Sequence, residues 1–243
     1  SIECFENATK INPKNFSAFN NLGISYKKLK RYKESEKSLL NSITINPDYF
    51  NAMVNIGNLK NETYFFNESI KYYKQAIKLN DKLPSTYLNL ANVYQTINQI
   101  EEAKEYLNKA IAIDKTFTIA DQKLSMLEKY DKDNLHLKTM LEKFKSNNLD
   151  DTKKIYLCFG IYKALNDIKD YQESLKYLKL GNKLQRGLLN YDIDFHKSLS
   201  KKIKTIFSKI DPKNFDNKPK NGKYIFILGM PRSGTTLIEK IVS

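Results

Sequence analysis

Cysteine is nearly absent: only Cys4 and Cys158 occur in 243 residues. Two thiols so far apart cannot form a disulfide framework or a zinc site. Both are expected as core thiols of a reducing compartment, Cys4 on an apolar helix face, so a cytoplasmic protein is expected. Histidine is as scarce, and His136 and His196 lack ligand spacing around them, so no metal site is expected. No apolar run approaches the ~20 residues that cross a bilayer, and no signal peptide is visible. A membrane partner is therefore not expected. The chain starts at Ser1 without a methionine, and its original N-terminus is expected to lie upstream.

Cations are plentiful but narrow in type. Lys and Arg number 41 against 27 Asp and Glu, giving a net charge of +14 and a pI near 9.4. Only Arg31, Arg186 and Arg232 are arginine. Such a balance attracts polyanions. Here, however, the lysines are interleaved with Glu and Asp along most of the chain, the pattern of a solvated helical face. Nucleic acid is not expected as a partner.

An internal period organises the first half. Pro13 and Pro47 lie 34 residues apart, in INPKNF and INPDYF. The same shift aligns Asn21-Leu22-Gly23 with Asn55-Ile56-Gly57 and Asn89-Leu90-Ala91, and it aligns Ser35, Ser69 and Ala103. The pattern resembles the tetratricopeptide repeat, a helix-turn-helix unit that stacks into a superhelix. Gly23, Gly57 and Ala91 are then small because the second helix of the hairpin approaches closely there. Tyr26 and Tyr94 fill the wider gap one turn on, and Lys60 departs from the pattern. Pro13 and Pro47 end units, whereas Asp81 replaces the third proline and Pro84 opens the next helix. The opening SIECFENATKINP matches only the second helix of a unit, so the chain is expected to start inside a repeat.

After Lys115 the register decays. Apolar spacing persists through Leu124, Leu127, Leu137, Leu141 and Phe144 but is broken by YDKDN and KSNNLDD. Residues 156–187 resemble one more repeat, with Asp170-Tyr171 in the turn and Ser174 and Leu178 on the packing face. A further long helix is expected over 191–210, and the apolar-poor stretch 211–222, with two prolines and a glycine, is expected to be a linker. The expected divisions are repeats over 1–117, a degenerate repeat with helical extension over 118–210, the linker, and a different fold from 223 to 243.

Asn21, Asn55 and Asn89 occupy one position of successive first helices, and Asn58 and Asn92 follow two of them by three residues, on the same face. In this repeat family that face lines the concave groove. A ladder of amides can bind the backbone of an extended peptide, or it can hydrogen-bond within the solenoid; the sequence leaves both open.

The closing stretch KYIFILGMPRSGTTLIEKIVS breaks with everything before it. Tyr224 to Leu228 is a short apolar run of β-formers, and Leu237, Ile238, Ile241 and Val242 recur at helical spacing. Between them, Gly229, Gly234 and Thr236 match the nucleotide-binding pattern G-x-x-x-x-G-K-[ST], while Thr235 takes the lysine slot. A threonine cannot reach β- and γ-phosphates with charge. Backbone N–H groups, two hydroxyls and Arg232 still make an anion cradle, one better suited to a single terminal phosphate.

That loop behind an apolar strand resembles the 5′-phosphosulfate-binding loop of sulfotransferases that use 3′-phosphoadenosine 5′-phosphosulfate (PAPS). Its arginine form is similar to the protein-tyrosine sulfotransferases, and repeats followed by such a loop resemble bacterial tetratricopeptide-repeat sulfotransferases. The resemblance implies a mainly α chain: a tetratricopeptide-repeat α-solenoid followed by the first strand-loop-helix of a P-loop α/β sulfotransferase domain. It implies PAPS as the sulfuryl donor, held by Arg232, Ser233, Gly234, Thr235 and Thr236, with no metal. A hydroxyl acceptor, peptidyl tyrosine among the candidates, would be presented by the repeats. The catalytic carboxylate is expected beyond residue 243, so the chain alone is expected to be inactive. The alternative is a repeat scaffold that binds a protein partner without catalysis.

Overall fold

The computed structural model describes residues 2–146, 149–189 and 193–208, and all regular structure among them is α-helical. Eleven helices lie in one compact unit, Ser1–Asn190: α1 (Ile2–Ile11), α2 (Phe16–Lys28), α3 (Tyr32–Ile45), α4 (Phe50–Glu62), α5 (Phe66–Leu79), α6 (Pro84–Thr96), α7 (Ile100–Ile113), α8 (Thr118–Leu127), α9 (Leu135–Lys145), α10 (Asp151–Asp167) and α11 (Tyr171–Leu188). A twelfth, α12 (Ile193–Phe207), belongs to a second unit, Tyr191–Ser243. The strand and helix expected over 224–242 lie outside the described residues, as does the linker.

Three hairpins, α2–α3, α4–α5 and α6–α7, carry the 34-residue period. Each closes on a residue in the left-handed region: Lys30 (φ 58°), Tyr64 (φ 65°) and Asn98 (φ 62°). The turn is hydrogen-bonded as a Schellman cap, with Arg31 N–H reaching Tyr26 O (3.0 Å), Phe65 N–H reaching Lys60 O (2.8 Å) and Gln99 N–H reaching Tyr94 O (2.9 Å). Lys169 (φ 65°) repeats the device between α10 and α11, with Asp170 N–H on Leu165 O at 3.0 Å. Pro84 opens α6 in its first turn, where the missing N–H costs no hydrogen bond.

Close approach within each hairpin explains the small residues. A methyl at Gly23 would sit 2.5 Å from Leu39 Cγ and 3.2 Å from Ser35 O; one at Gly57 would sit 2.7 Å from the Tyr73 ring. The facing serines use this proximity. Ser35 Oγ donates to Gly23 O and Ser69 Oγ to Gly57 O, both at 2.8 Å. Ser174 makes the matching bond to Tyr162 O at 3.1 Å, which marks α10–α11 as another hairpin of the same kind. Lys60, which departs from the aromatic pattern, is buried and ion-paired to Glu36 (2.8 Å) and Glu68 (2.7 Å).

The register breaks at α9. Thr118 Oγ1 donates to Lys153 O at 3.0 Å, and the Cβ position of Gly160 lies 3.4 Å from Ser125 Oγ. Both contacts join residues 35 apart, so α8 and α10 run parallel and pair along their lengths, while α9 does not form a hairpin with α8. Instead α9 rests on α10, with Met140 Sδ 3.0 Å from the Gly160 Cβ position. Polar contacts tie it to α8. Asp121, 0% exposed, accepts from Lys143 Nζ at 2.7 and 2.9 Å and lies 3.2 Å from His136 Nε2. Tyr130 lies 2.6 Å from His136 Nδ1. Burial pushes the Tyr130 phenol above its ordinary range and keeps it protonated. A carboxylate only accepts, so Nε2–H donates to Asp121.

Cys158 is buried as expected, but Cys4 is exposed. Cys4 is exposed because α1 packs mainly on α2 and none of its residues is buried. Within its own unit α12 is amphipathic, with Phe195, Leu199, Ile203 and Ile206 exposed and Lys197, Lys201, Lys202 and Lys204 interleaved.

Candidate functional site

The first helices of the hairpins form the inner row of the solenoid. Contacts join α2 to α4 and α4 to α6, whereas no comparable contact joins α3, α5 and α7 to one another. The tighter row is the concave one, and it carries the asparagines.

All five predicted groove residues, Asn21, Asn55, Asn58, Asn89 and Asn92, are half-buried. Part of their hydrogen-bonding capacity is used between helices. Asn55 Nδ2 donates to Asn20 Oδ1 at 2.8 Å, linking α4 to α2, and Asn20 Nδ2 lies 3.4 Å from Asn21 Oδ1. Asn89 Nδ2 donates to Asn58 Oδ1 at 3.3 Å, linking α6 to α4. Tyr73 O–H also donates to Asn58 Oδ1, at 2.6 Å. Burial holds that phenol above its ordinary range and therefore neutral.

The remaining capacity is unused within the described chain. Among the described residues the Asn55 and Asn89 carbonyls accept nothing, and the Asn92 side chain makes no hydrogen bond at all. An amide has two donor and two acceptor positions, so these side chains keep capacity for a ligand while their orientation is fixed by their neighbours. Asn20 was not foreseen from the sequence. At its shifted positions stand Val54 and Leu88, so it carries no periodic signal; its proximity to Asn21 was the only cue.

Residues 4–37 and 48–116 match the tetratricopeptide-repeat family. The chain carries tetratricopeptide repeats. Solved repeat structures share the fold. YrrB, described as a TPR protein with an unusual peptide-binding site, superposes with a TM-score of 0.54 at 14% identity, covering 76% of this chain and 94% of its own. A MamA protein superposes with a TM-score of 0.53 at 15% identity, covering 73% and 96%. At such identities the likeness concerns the fold alone. A protein of Aquifex aeolicus (strain VF5) described as uncharacterized is 34% identical over 85 residues, which is 35% of this chain and 11% of that protein. The aligned part therefore spans about a tenth of that relative's length.

Arg232, Ser233, Gly234, Thr235 and Thr236 lie outside the described residues. Among the described residues no cluster of His, Cys, Asp and Glu could hold a metal ion, and no helix is long and apolar enough to cross a membrane.

Proposed function

We propose that the repeats are a protein-interaction scaffold whose concave asparagine row holds an extended polypeptide segment. One observation carries this reading: neighbouring amides lock Asn55 and Asn89 in place yet leave their carbonyls, and all of Asn92, open to the groove. Preorganised amides bind backbone at little entropic cost. The test is selection of short random peptides on the full chain, followed by titration of the winners. Replacing Asn89 and Asn92 together by alanine removes two to three hydrogen bonds and should weaken binding about tenfold to a hundredfold. Unchanged affinity would reject the groove.

We further propose that these repeats precede a sulfotransferase domain that transfers the sulfuryl group of PAPS to a hydroxyl acceptor on the bound protein, with peptidyl tyrosine as the leading acceptor class. The support is the sequence from Tyr224 to Val242: an apolar run, then Gly229 to Thr236 with Thr235 in the P-loop lysine slot and Arg232 supplying a cation from within the loop. The donor set suits a terminal phosphate: one guanidinium, two threonine hydroxyls and a glycine that admits close backbone approach. When bound, the cofactor would supply the activated sulfuryl group, and Arg232 would hold its 5′ end. Calorimetry with 3′-phosphoadenosine 5′-phosphate tests this. Binding weakened by Arg232→Ala supports the assignment, and tighter binding of magnesium-ATP refutes it.

A further inference from the structure

The concave face changes character along its length. The position held by Asn20 in α2 is Val54 in α4 and Leu88 in α6. Leu88 shares a helical face with Asn92, one turn away. Beyond it, where α8 and α10 pair directly, a cavity of about 340 Å³ opens between their N-terminal ends and α6. Leu88, Phe117, Ile119 and Tyr156 give it apolar walls, and Thr152 and Lys153 stand among its lining residues.

The cavity's polar groups are largely engaged with one another. Thr118 Oγ1 donates to Lys153 O at 3.0 Å. Thr116 gives its N–H and hydroxyl to Asp114 and accepts from Lys153 Nζ at 3.2 Å. Asp150 is turned to its own helix, capping Lys153 N–H at 2.8 Å. What the cavity offers a ligand is apolar surface, plus one cation: among the described residues no carboxylate lies within 4 Å of the Lys153 ammonium.

We propose that this cavity is the specificity pocket of the peptide groove. It takes one aromatic or long aliphatic side chain of an extended partner segment, with an acidic residue beside that anchor facing Lys153. The assignment rests on the concave-groove reading above, since the pocket continues the asparagine row through Asn92 and Leu88. The asparagines bind backbone and so tolerate any sequence; the pocket supplies selectivity. The register break shapes it: α8 and α10 pair along their lengths, whereas α2 and α4, or α4 and α6, touch far less extensively.

Short random peptides selected on the full chain should share a large apolar residue followed by an acidic one. Truncating that anchor to alanine should weaken a synthetic winner about tenfold to a hundredfold. Thr152→Trp, which fills the mouth from an exposed position, should abolish the difference between anchor and alanine peptides. Lys153→Glu should remove the preference for the acidic neighbour. Circular dichroism checks that both variants keep their helix content. If the alanine peptides bind as tightly as the anchored ones while Asn89→Ala/Asn92→Ala still weakens both, the groove stands and the pocket is rejected. If the asparagine variant changes nothing, the groove reading itself fails.

Discussion

Removing the Asp121 charge should loosen α9 and little else. In Asp121→Asn the shape is kept but the Lys143 ammonium loses its counter-charge. Its side chain is only 13% exposed, and it makes two short bonds to the carboxylate. Breaking one partner of a buried pair costs about 3–5 kcal/mol. The residual exposure of Lys143 places the expected loss near the lower bound, about 3 kcal/mol. Solenoid stability is distributed among neighbouring interfaces, so a global melting curve is the wrong instrument. Hydrogen exchange at individual amides reads the local opening directly, and α9 amides should exchange about a hundredfold faster, with those of α2 to α5 unchanged. The double variant Asp121→Asn/Lys143→Met removes both charges and should recover much of the protection, giving a coupling of about 1–3 kcal/mol. Additive losses, or faster exchange in the first hairpins, would refute the claim that this ion pair holds α9 to α8.

Gly57→Ala should destabilise despite alanine's better helix propensity. The methyl would meet the Tyr73 ring, which is 1% exposed and tethered to Asn58; overpacking costs about 1–3 kcal/mol against a gain of about 1. In the third hairpin, which already carries an alanine, Ala91→Gly should cost about 2 kcal/mol, from helix propensity and the loss of one buried methyl; urea denaturation of both compares them. A thiol reagent at pH 8 should label Cys4 and spare Cys158, with two thiols reacting only in denaturant. Burial pushes the Cys158 thiol up to about 11 from 9.0. The folded state therefore holds this proton more tightly, and its contribution, complete below pH 9, should fade as pH rises towards 11. Equal labelling of both thiols in the native protein would contradict the burial of Cys158.

The three regular hairpins were legible in the sequence because one shift of 34 residues aligned their small, aromatic and asparagine positions at once. The α10–α11 hairpin lies outside that register and was legible instead from its turn residues Asp170-Tyr171 and from Ser174. The direct pairing of α8 with α10 was not. Periodicity identifies a helix and its apolar face, but Ser125 and Gly160 do not announce each other across 35 residues. Cys4 was misplaced because periodicity shows that a face is apolar, not that a partner covers it. The groove asparagines share a face by their spacing alone, but their mutual hydrogen bonds depend on the angle between successive helices, which sequence spacing does not encode. Lys60 looked like a departure, and its two glutamate partners come from α3 and α5.

The turn residues Lys30, Tyr64, Asn98 and Lys169 have a consequence for engineering. None is glycine, yet each adopts a conformation that glycine reaches freely, and a bulky residue there costs of order 1 kcal/mol or more. The repeats thus hold unspent stability at four sites, far enough apart to combine. Asn98, the residue type that tolerates this region best, has least to gain, and Tyr64, 79% exposed, has most. A chain with glycine at all four positions would keep every helix and groove contact while melting higher, a route to a sturdier solenoid that leaves the recognition surface untouched.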